Sequence, residues 1–504
     1  MKNLKIYFTS DLHGYVYPTD YVDRSQKNIG LLNIINQFEK DGNTLIIDAG
    51  DTIQGSPFTN YLSTTEFDVH PIAKIFNKAG YDYITLGNHD FNYGFDYLKK
   101  YLCNLDAKCL CANVDDKTNE LGIFPYDIKT LENGLKVGII GFTTDFINIW
   151  ERAENLANFT INDTISSIKP YYDELKGNVD VLIGVYHGGF EYDLESHKKL
   201  SETKENIAYK ICNELGFDLL LTGHQHMEIS DIDLHGTHIV QTPHNGSKFI
   251  ELNLEFDNDQ IQNVTSKLID VELNPNKEMY DKFLPLEEKV QQWLDTPVGF
   301  LDTELQPSTH LDMALSGSAL ANFINQIQLS ESGADIACTS FANVIKGFEK
   351  NVTVRDIMST YPYPNTLVVY EVNRKYLELA LERCASYFDF KDGEVTISDR
   401  FLKPKVEHYN YDYFANLNYT FDITKEVGNR VTSIVYNGKE LDHDTTLKLV
   451  MNNYRASGAG GYEFYTECKV VKEILMEMPD IIIDYFKNNT NVTVDKSKYL
   501  TVLA

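Results

Sequence analysis

Short apolar runs that stop at a small or polar residue recur through the first half of the chain. Leu4-Lys5-Ile6-Tyr7-Phe8 ends at Thr9-Ser10-Asp11-Leu12-His13, and Thr44-Leu45-Ile46-Ile47 ends at Asp48-Ala49-Gly50-Asp51. The run from Tyr81 ends at Thr85-Leu86-Gly87-Asn88-His89-Asp90. Residues 135–142, 179–186 and 217–221 repeat the pattern and end at Thr143-Thr144-Asp145, His187-Gly188-Gly189 and Thr222-Gly223-His224-Gln225-His226. Runs this short and this apolar predict buried strands. Residues 29–40, 69–79 and 205–214 read as helices between them. Alternating strand and helix predicts a layered α/β domain whose loops gather at one edge of its sheets.

The pattern changes near Leu273-Asn274-Pro275-Asn276. Residues 278–294 read as one amphipathic helix, stopped by Thr296-Pro297. Beyond it, residues 316–329 and 374–387 read as helices, and 334–339, 366–372, 419–423 and 447–451 as extended segments. A length of 504 residues exceeds one compact core. The expected division is a first domain over 1–272, a linker helix over 273–298 and a second, mixed α/β domain over 299–504.

Charge narrows the partners. With 45 basic against 74 acidic residues the net charge is −29, spread along the chain. Such a surface repels duplex nucleic acid and anionic membrane, so an anionic ligand needs local positive charge, which bound divalent cations supply. The seven cysteines have no zinc-site spacing and read as reduced, mostly core thiols. No apolar leader precedes Ile6 and no stretch is long enough to span a bilayer, so the expectation is a cytoplasmic protein without an evident obligate protein partner.

Chemistry concentrates where the strands stop. Asp11 and His13, and again His224 and His226, stand at i and i+2 beyond a strand, where two side chains can point the same way. Asp51 follows Gly50 in an acid-rich turn, and its two oxygens suit it to serve two cations; Asp48, still in strand phase, reads as structural. Asn88 offers a neutral oxygen ligand, and His89 beside it can face a substrate. Asp145 reads as a helix cap. Singly, each of these motifs fits an ordinary turn. Five of the 13 histidines (His13, His89, His187, His224, His226) at strand ends, with Asp11, Asp51 and Asn88 matching, argue for one metal site.

This ordered set, Asp11-x-His13, Gly50-Asp51, Gly87-Asn88-His89-Asp90, His187 and Gly223-His224-x-His226, resembles the calcineurin-like metallophosphoesterases. Gly50-Asp51-x-x-Gln54-Gly55-Ser56-Pro57 and Asn88-His89-Asp90-Phe91-Asn92 narrow the likeness to the 5′-nucleotidase and 2′,3′-cyclic-nucleotide phosphodiesterase/3′-nucleotidase group. The resemblance implies a layered β-sandwich flanked by helices, with two divalent ions, manganese, zinc or ferrous iron. One would be held by Asp11, His13, Asp51 and His226, the other by Asp51, Asn88, His187 and His224, with Asp51 bridging. It further implies release of phosphate from small nucleotides by in-line attack of a metal-bound hydroxide, with His89 stabilising the phosphoryl group. Family members are often exported. Where many 5′-nucleotidases partner this histidine with Asp, the chain has Asn92, which keeps an orienting role and is similar to the cyclic-phosphodiesterase branch.

The loops Tyr361-Pro362-Tyr363-Pro364-Asn365 and Asn453-Tyr454-Arg455-Ala456-Ser457-Gly458-Ala459-Gly460 resemble the family's nucleotide-binding domain. On that match Tyr363 and Tyr454 would clamp a base, Asn365 would contact base or sugar, and Arg455 and Lys346 are the nearest basic groups. Gly460 stands where 5′-nucleotidases carry an Asp. With the clamp and the metals on separate domains, rotation about the linker is expected. Two other readings stay open, a metallophosphatase for a sugar phosphate or pyrophosphate, and a binding protein without turnover.

Overall fold

The computed structural model describes residues 2–197, 199, 204–363, 365–391, 393–403 and 405–504. Contacts divide the chain into two compact units, Met1–Gln291 and Gln292–Ala504.

The first unit is a sandwich of two sheets. Strands β1 (Lys2–Thr9), β2 (Thr44–Asp48) and β3 (Tyr83–Ile84) lie side by side and parallel in a seven-stranded sheet. In a six-stranded sheet, β4 (Lys136–Thr143), β5 (Val181–His187) and β6 (Leu219–Thr222) are likewise parallel neighbours. Phe8, Leu45 and Ile47 of one sheet and Val137, Ile139, Ile183 and Leu221 of the other share one apolar core. Helices Thr164–Leu175 and Ala208–Glu214 cover the outer face of the six-stranded sheet, setting Ile168 and Ile211 against Ile140, Phe142 and Leu182. Both faces of β4 to β6 are therefore dry, which is why these runs are apolar without alternation. Parallel neighbours finish at a common edge, and the polar residues that follow them collect there.

Local departures have local causes. The run from Tyr81 is a strand only at Tyr83–Ile84, because Thr85 already turns while its amide still bonds the Asp48 carbonyl at 2.9 Å. Residues 29–40 form one α-turn, Leu31–Ile34, and one 3-10 turn, Ile35–Gln37; the preceding Gly30 (φ 95°) supplies no side-chain cap. Asp145 does not cap the helix that follows it, Ile147–Trp150. Its carboxylate accepts instead from the Thr164 amide (3.1 Å), at the start of the next helix. The linker expectation also shifts. Within Lys277–Leu294, the Tyr280 carbonyl accepts from the Tyr17 hydroxyl (2.7 Å) and Glu287 from the Tyr21 hydroxyl (3.1 Å), so most of this helix is an element of the first unit.

The second unit centres on a five-stranded mixed sheet, ordered Tyr413–Ala415, Ile336–Thr339, Thr446–Asn452, Leu367–Asn373, Lys469–Ile474. Helices Ala319–Ser332 and Arg374–Ala385 pack Phe323, Ile327, Leu377 and Leu381 into its core. All seven cysteines are free thiols. Among the described residues no helix is long and apolar enough to cross a membrane.

Candidate dinuclear metal centre

The seven residues expected as ligands meet at the common edge of the first unit's parallel strands. Their metal-binding atoms form two groups. Asp11, His13 and His226 make one and Asp51, His187 and His224 the other, with the ligand atoms of each group within 4.8 Å of one another. Asn88 Oδ1 joins the second group, 3.2 Å from His187 Nε2 and 2.9 Å from His224 Nδ1. Asp51 Oδ2 is 3.2 Å from His187 Nε2, and Asp11 Oδ1 is 3.3 Å from His226 Nε2.

Backbone geometry aims these side chains. Asp11, His13, Asp51, His224 and His226 all have φ between 48° and 71°, the left-handed region. That region costs an ordinary residue roughly 1–2 kcal/mol, less for Asp, Asn and His, and is kept only where the surroundings enforce it. Asp90 does part of the enforcing. Its buried carboxylate accepts four backbone amides: Asp51 (2.9 Å), Thr52 (2.9 Å), Ile53 (3.1 Å) and Gly87 (2.8 Å). One side chain thus ties the loop after β2 to the loop after β3. The two loops touch so closely that a Cβ on Gly87 would sit 2.2 Å from Asp51 Oδ1. Asp48, by contrast, is spent on the Thr9 and Thr52 hydroxyls and the Gly50 amide, and burial lifts its carboxyl to about 7.

The outer nitrogens show which lone pairs face inward. His187 and His13 donate through Nδ1 to the carbonyls of Ala49 (2.8 Å) and Gln54 (3.1 Å), leaving Nε2 for the centre. His224 turns its Nε2 to the Glu205 carboxylate (3.0 Å) and leaves Nδ1 for the centre. His13 Nε2 and His226 Nε2 face each other at 3.2 Å. Converging imidazole nitrogens and carboxylate oxygens, with His13, His187 and His224 each held from behind by an oxygen acceptor, fit divalent cations. Burial opposes charge on His187, but Asp51 and Asp11 raise it to about 10, and in turn the imidazoles hold the buried Asp11 and Asp51 carboxyls below their usual range.

His89 lies at the rim, its ring 5.4 Å from that of His13 and its amide bonded to Asp51 Oδ1 at 2.7 Å. Its Nδ1 stands 2.7 Å from Asn92 Oδ1.

The family models agree with this geometry. Residues 4–228 match the calcineurin-like phosphoesterase model and residues 297–467 the 5′-nucleotidase C-terminal domain model. A Staphylococcus aureus crystal structure assigned as a 5′-nucleotidase, in complex with alpha-ketoglutarate, is 33% identical with a TM-score of 0.91, covering 100% of both chains. The chain belongs to the 5′-nucleotidase family of calcineurin-like phosphoesterases. A further family relative, the 2′,3′-cyclic-nucleotide 2′-phosphodiesterase/3′-nucleotidase of Salmonella typhimurium, is 26% identical over 90% of this chain and 81% of its own length. The trifunctional nucleotide phosphoesterase YfkN of Bacillus subtilis is 25% identical over 96% of this chain, which spans 38% of that protein's length.

The second unit treats its expected substrate residues unequally. Tyr363 is 40% exposed, and Pro364 beside it lies outside the described residues. Tyr454 is half-buried and meets Tyr409 edge-on at 6.3 Å, while Tyr361 is a core residue bonded to Asn365 and Asn452. The expectation for Arg455 is corrected. It is 1% exposed, and its guanidinium is taken up by Asp412 (2.8 Å), the carbonyls of Ala459 (2.6 Å) and Tyr409 (2.9 Å), and the face of Tyr462 (3.9 Å). Such a group braces the glycine loop, with three of its five N–H donors spent on protein oxygens and its plane stacked in the interior. Lys346 is paired with Asp356 at 3.3 Å. Gly460 has φ 76°, and a Cβ there would meet Asn410 Oδ1 at 2.1 Å, so this loop has no room for an Asp. Glu205 and His244, which stacks on His226 at 4.6 Å, border the centre, and Glu151 bonds Asn92 behind His89, all without any signal in the local sequence.

Two predictions follow from this geometry. Asp90→Asn leaves two of the four amides without an acceptor, so it destabilises the metal-free protein by about 2–4 kcal/mol; an unchanged urea midpoint would contradict the clamp. Because coordination needs a neutral imidazole, loading metal at pH 8 expels the His187 proton, and affinity rises with pH towards 10. Calorimetric titration in two buffers of different ionisation enthalpy measures the released proton, and no release would contradict the assignment.

Proposed function

We propose that the chain is a two-metal phosphohydrolase of nucleotides, taking 2′,3′-cyclic and 3′ esters ahead of 5′ esters. The observation that carries the first half is the pair of ligand groups at one sheet edge, each spanning under 4.8 Å. Support for nucleotides comes from the named activities of the relatives, and support for the order of preference from Asn92 and Gly460, which depart from the 5′-nucleotidase pattern.

Asp11, His13 and His226 would hold one ion and Asn88, His187 and His224 the other, with Asp51 between them. Mixed nitrogen and oxygen donors suit manganese, zinc or ferrous iron. When bound, the pair supplies an acidified water and offsets charge on the phosphoryl oxygens. The protein's part is positional. His13, His187 and His224 are fixed by the acceptors behind them, so little reorganisation accompanies charge development. His89 binds no ion. With Nδ1 engaged by Asn92, it offers Nε2 to the phosphoryl group or the departing oxygen.

In the second unit, Tyr363 and Tyr454 are proposed to take the base, and Asn365 the base or sugar. Stacking on an aromatic ring is worth about 1–3 kcal/mol per base. Replacing either tyrosine by Ala is therefore expected to raise KM for a nucleotide roughly 5–150-fold and leave p-nitrophenyl phosphate turnover unchanged. Equal losses on both substrates would contradict the clamp. A panel of 2′,3′-cyclic, 3′ and 5′ nucleotides, a sugar phosphate and pyrophosphate, run with manganese and with zinc and read by phosphate release from the monoesters and pyrophosphate and by appearance of the ring-opened monoester from the cyclic ester, tests the whole reading. Best turnover of the sugar phosphate or pyrophosphate would overturn it.

A further inference from the structure

Asn92 does not end the hydrogen-bond chain that begins at His89. Its side-chain Nδ2 donates to Glu151 Oε2, from a residue 59 positions further along the chain. The other oxygen of that carboxylate accepts from Asn155 Nδ2 (2.8 Å) and from the Arg152 amide (2.7 Å). Asn155 also donates to the Asn92 carbonyl at 3.0 Å, so both ends of the link are tied down.

We propose that Glu151 is a positioning residue for His89, setting the polarity of the Asn92 amide and through it the nitrogen that His89 presents to substrate. A side-chain amide can face a neighbour with its oxygen or its NH2 group, and nothing in Asn92 itself decides between them. A carboxylate only accepts. Glu151 therefore draws the NH2 group and leaves Oδ1, at 2.7 Å, towards His89. An oxygen in that position requires the proton on Nδ1, which directs Nε2 outward. With the amide reversed, NH2 would face Nδ1, and the ring would have to turn its lone pair inward. An Asp in this position would accept from both sides and need no such guide; Asn does. Glu151 thus compensates for the exchange of Asp for Asn92, and it lies outside every motif that supplies the metal centre.

This inference rests on His89 meeting the phosphoryl group or leaving oxygen, and the test separates the two. The full chain, loaded with manganese, is assayed on a 3′-nucleotide and on p-nitrophenyl phosphate, whose leaving group departs unaided. His89→Ala must first lose turnover on the nucleotide; if it does not, both readings fall together. Asn92→Asp then sets two carboxylates face to face without a donor, and the expected result is a loss in kcat of about 10–100-fold on the nucleotide with KM unchanged. Glu151→Gln alone permits either amide polarity and costs only a few-fold. In the double variant, Asn92→Asp with Glu151→Gln, the introduced amide donates to the introduced carboxylate, and kcat returns to within a few-fold of wild type. A double variant no better than Asn92→Asp, or equal losses on both substrates, would overturn the proposal. Elemental analysis is the second readout: two ions per chain in every variant is expected, and loss of metal in Glu151→Gln would show a role in the metal centre instead.

Discussion

Like-minded lone pairs crowded into one buried space are the constraint around which the first unit is organised. Asp11 and Asp51 are buried carboxylates, and beside them stand imidazole nitrogens whose outer sides are already engaged by Ala49, Gln54 and Glu205. Desolvating such groups together is unfavourable unless positive charge joins them. Asp51 and Asp11 hold the His187 imidazole's affinity for a proton high, and the proposed cations would supply the positive charge directly. Around this requirement the fold supplies rigidity: parallel strands that end at one edge, left-handed residues that reverse the chain there, and the Asp90 carboxylate that binds two loops through four amides.

The same constraint separates chemistry from framework. Asp48 and Asp51 lie three residues apart, yet Asp48 faces hydroxyls and an amide while Asp51 faces His187. Arg455 shows the converse in the second unit, a cation that looks suited to phosphate but is buried against Asp412 and two carbonyls. In both cases the partners already in place decide what a charged group can still bind.

Much of this was legible in the sequence because it is local. A strand's apolar run and the polar residues just past its end are contiguous, so the edge that carries Asp11, His13, Asp51, Asn88, His187, His224 and His226 could be read from the chain alone. What escaped is non-local or conformational. Glu151 reaches Asn92 across 59 positions, Glu205 reaches His224 from a loop, and Asp145 serves a helix 19 residues on. The left-handed φ values have no unique signature, since Asp, Asn and His occupy that region in ordinary turns as well. The burial of Arg455 depends on Asp412 and Tyr462, which no spacing rule links to it. Of the predicted helices, residues 29–40 failed where periodicity was present but Gly30 supplied no cap.

The most direct test is an anomalous difference map from crystals of manganese-loaded protein. It should show two peaks, one about 2.0–2.3 Å from Asp11, His13 and His226, the other equally close to Asn88, His187 and His224, with Asp51 reaching both. A single peak, or two that Asp51 does not touch, would contradict the paired centre and the phosphate chemistry derived from it.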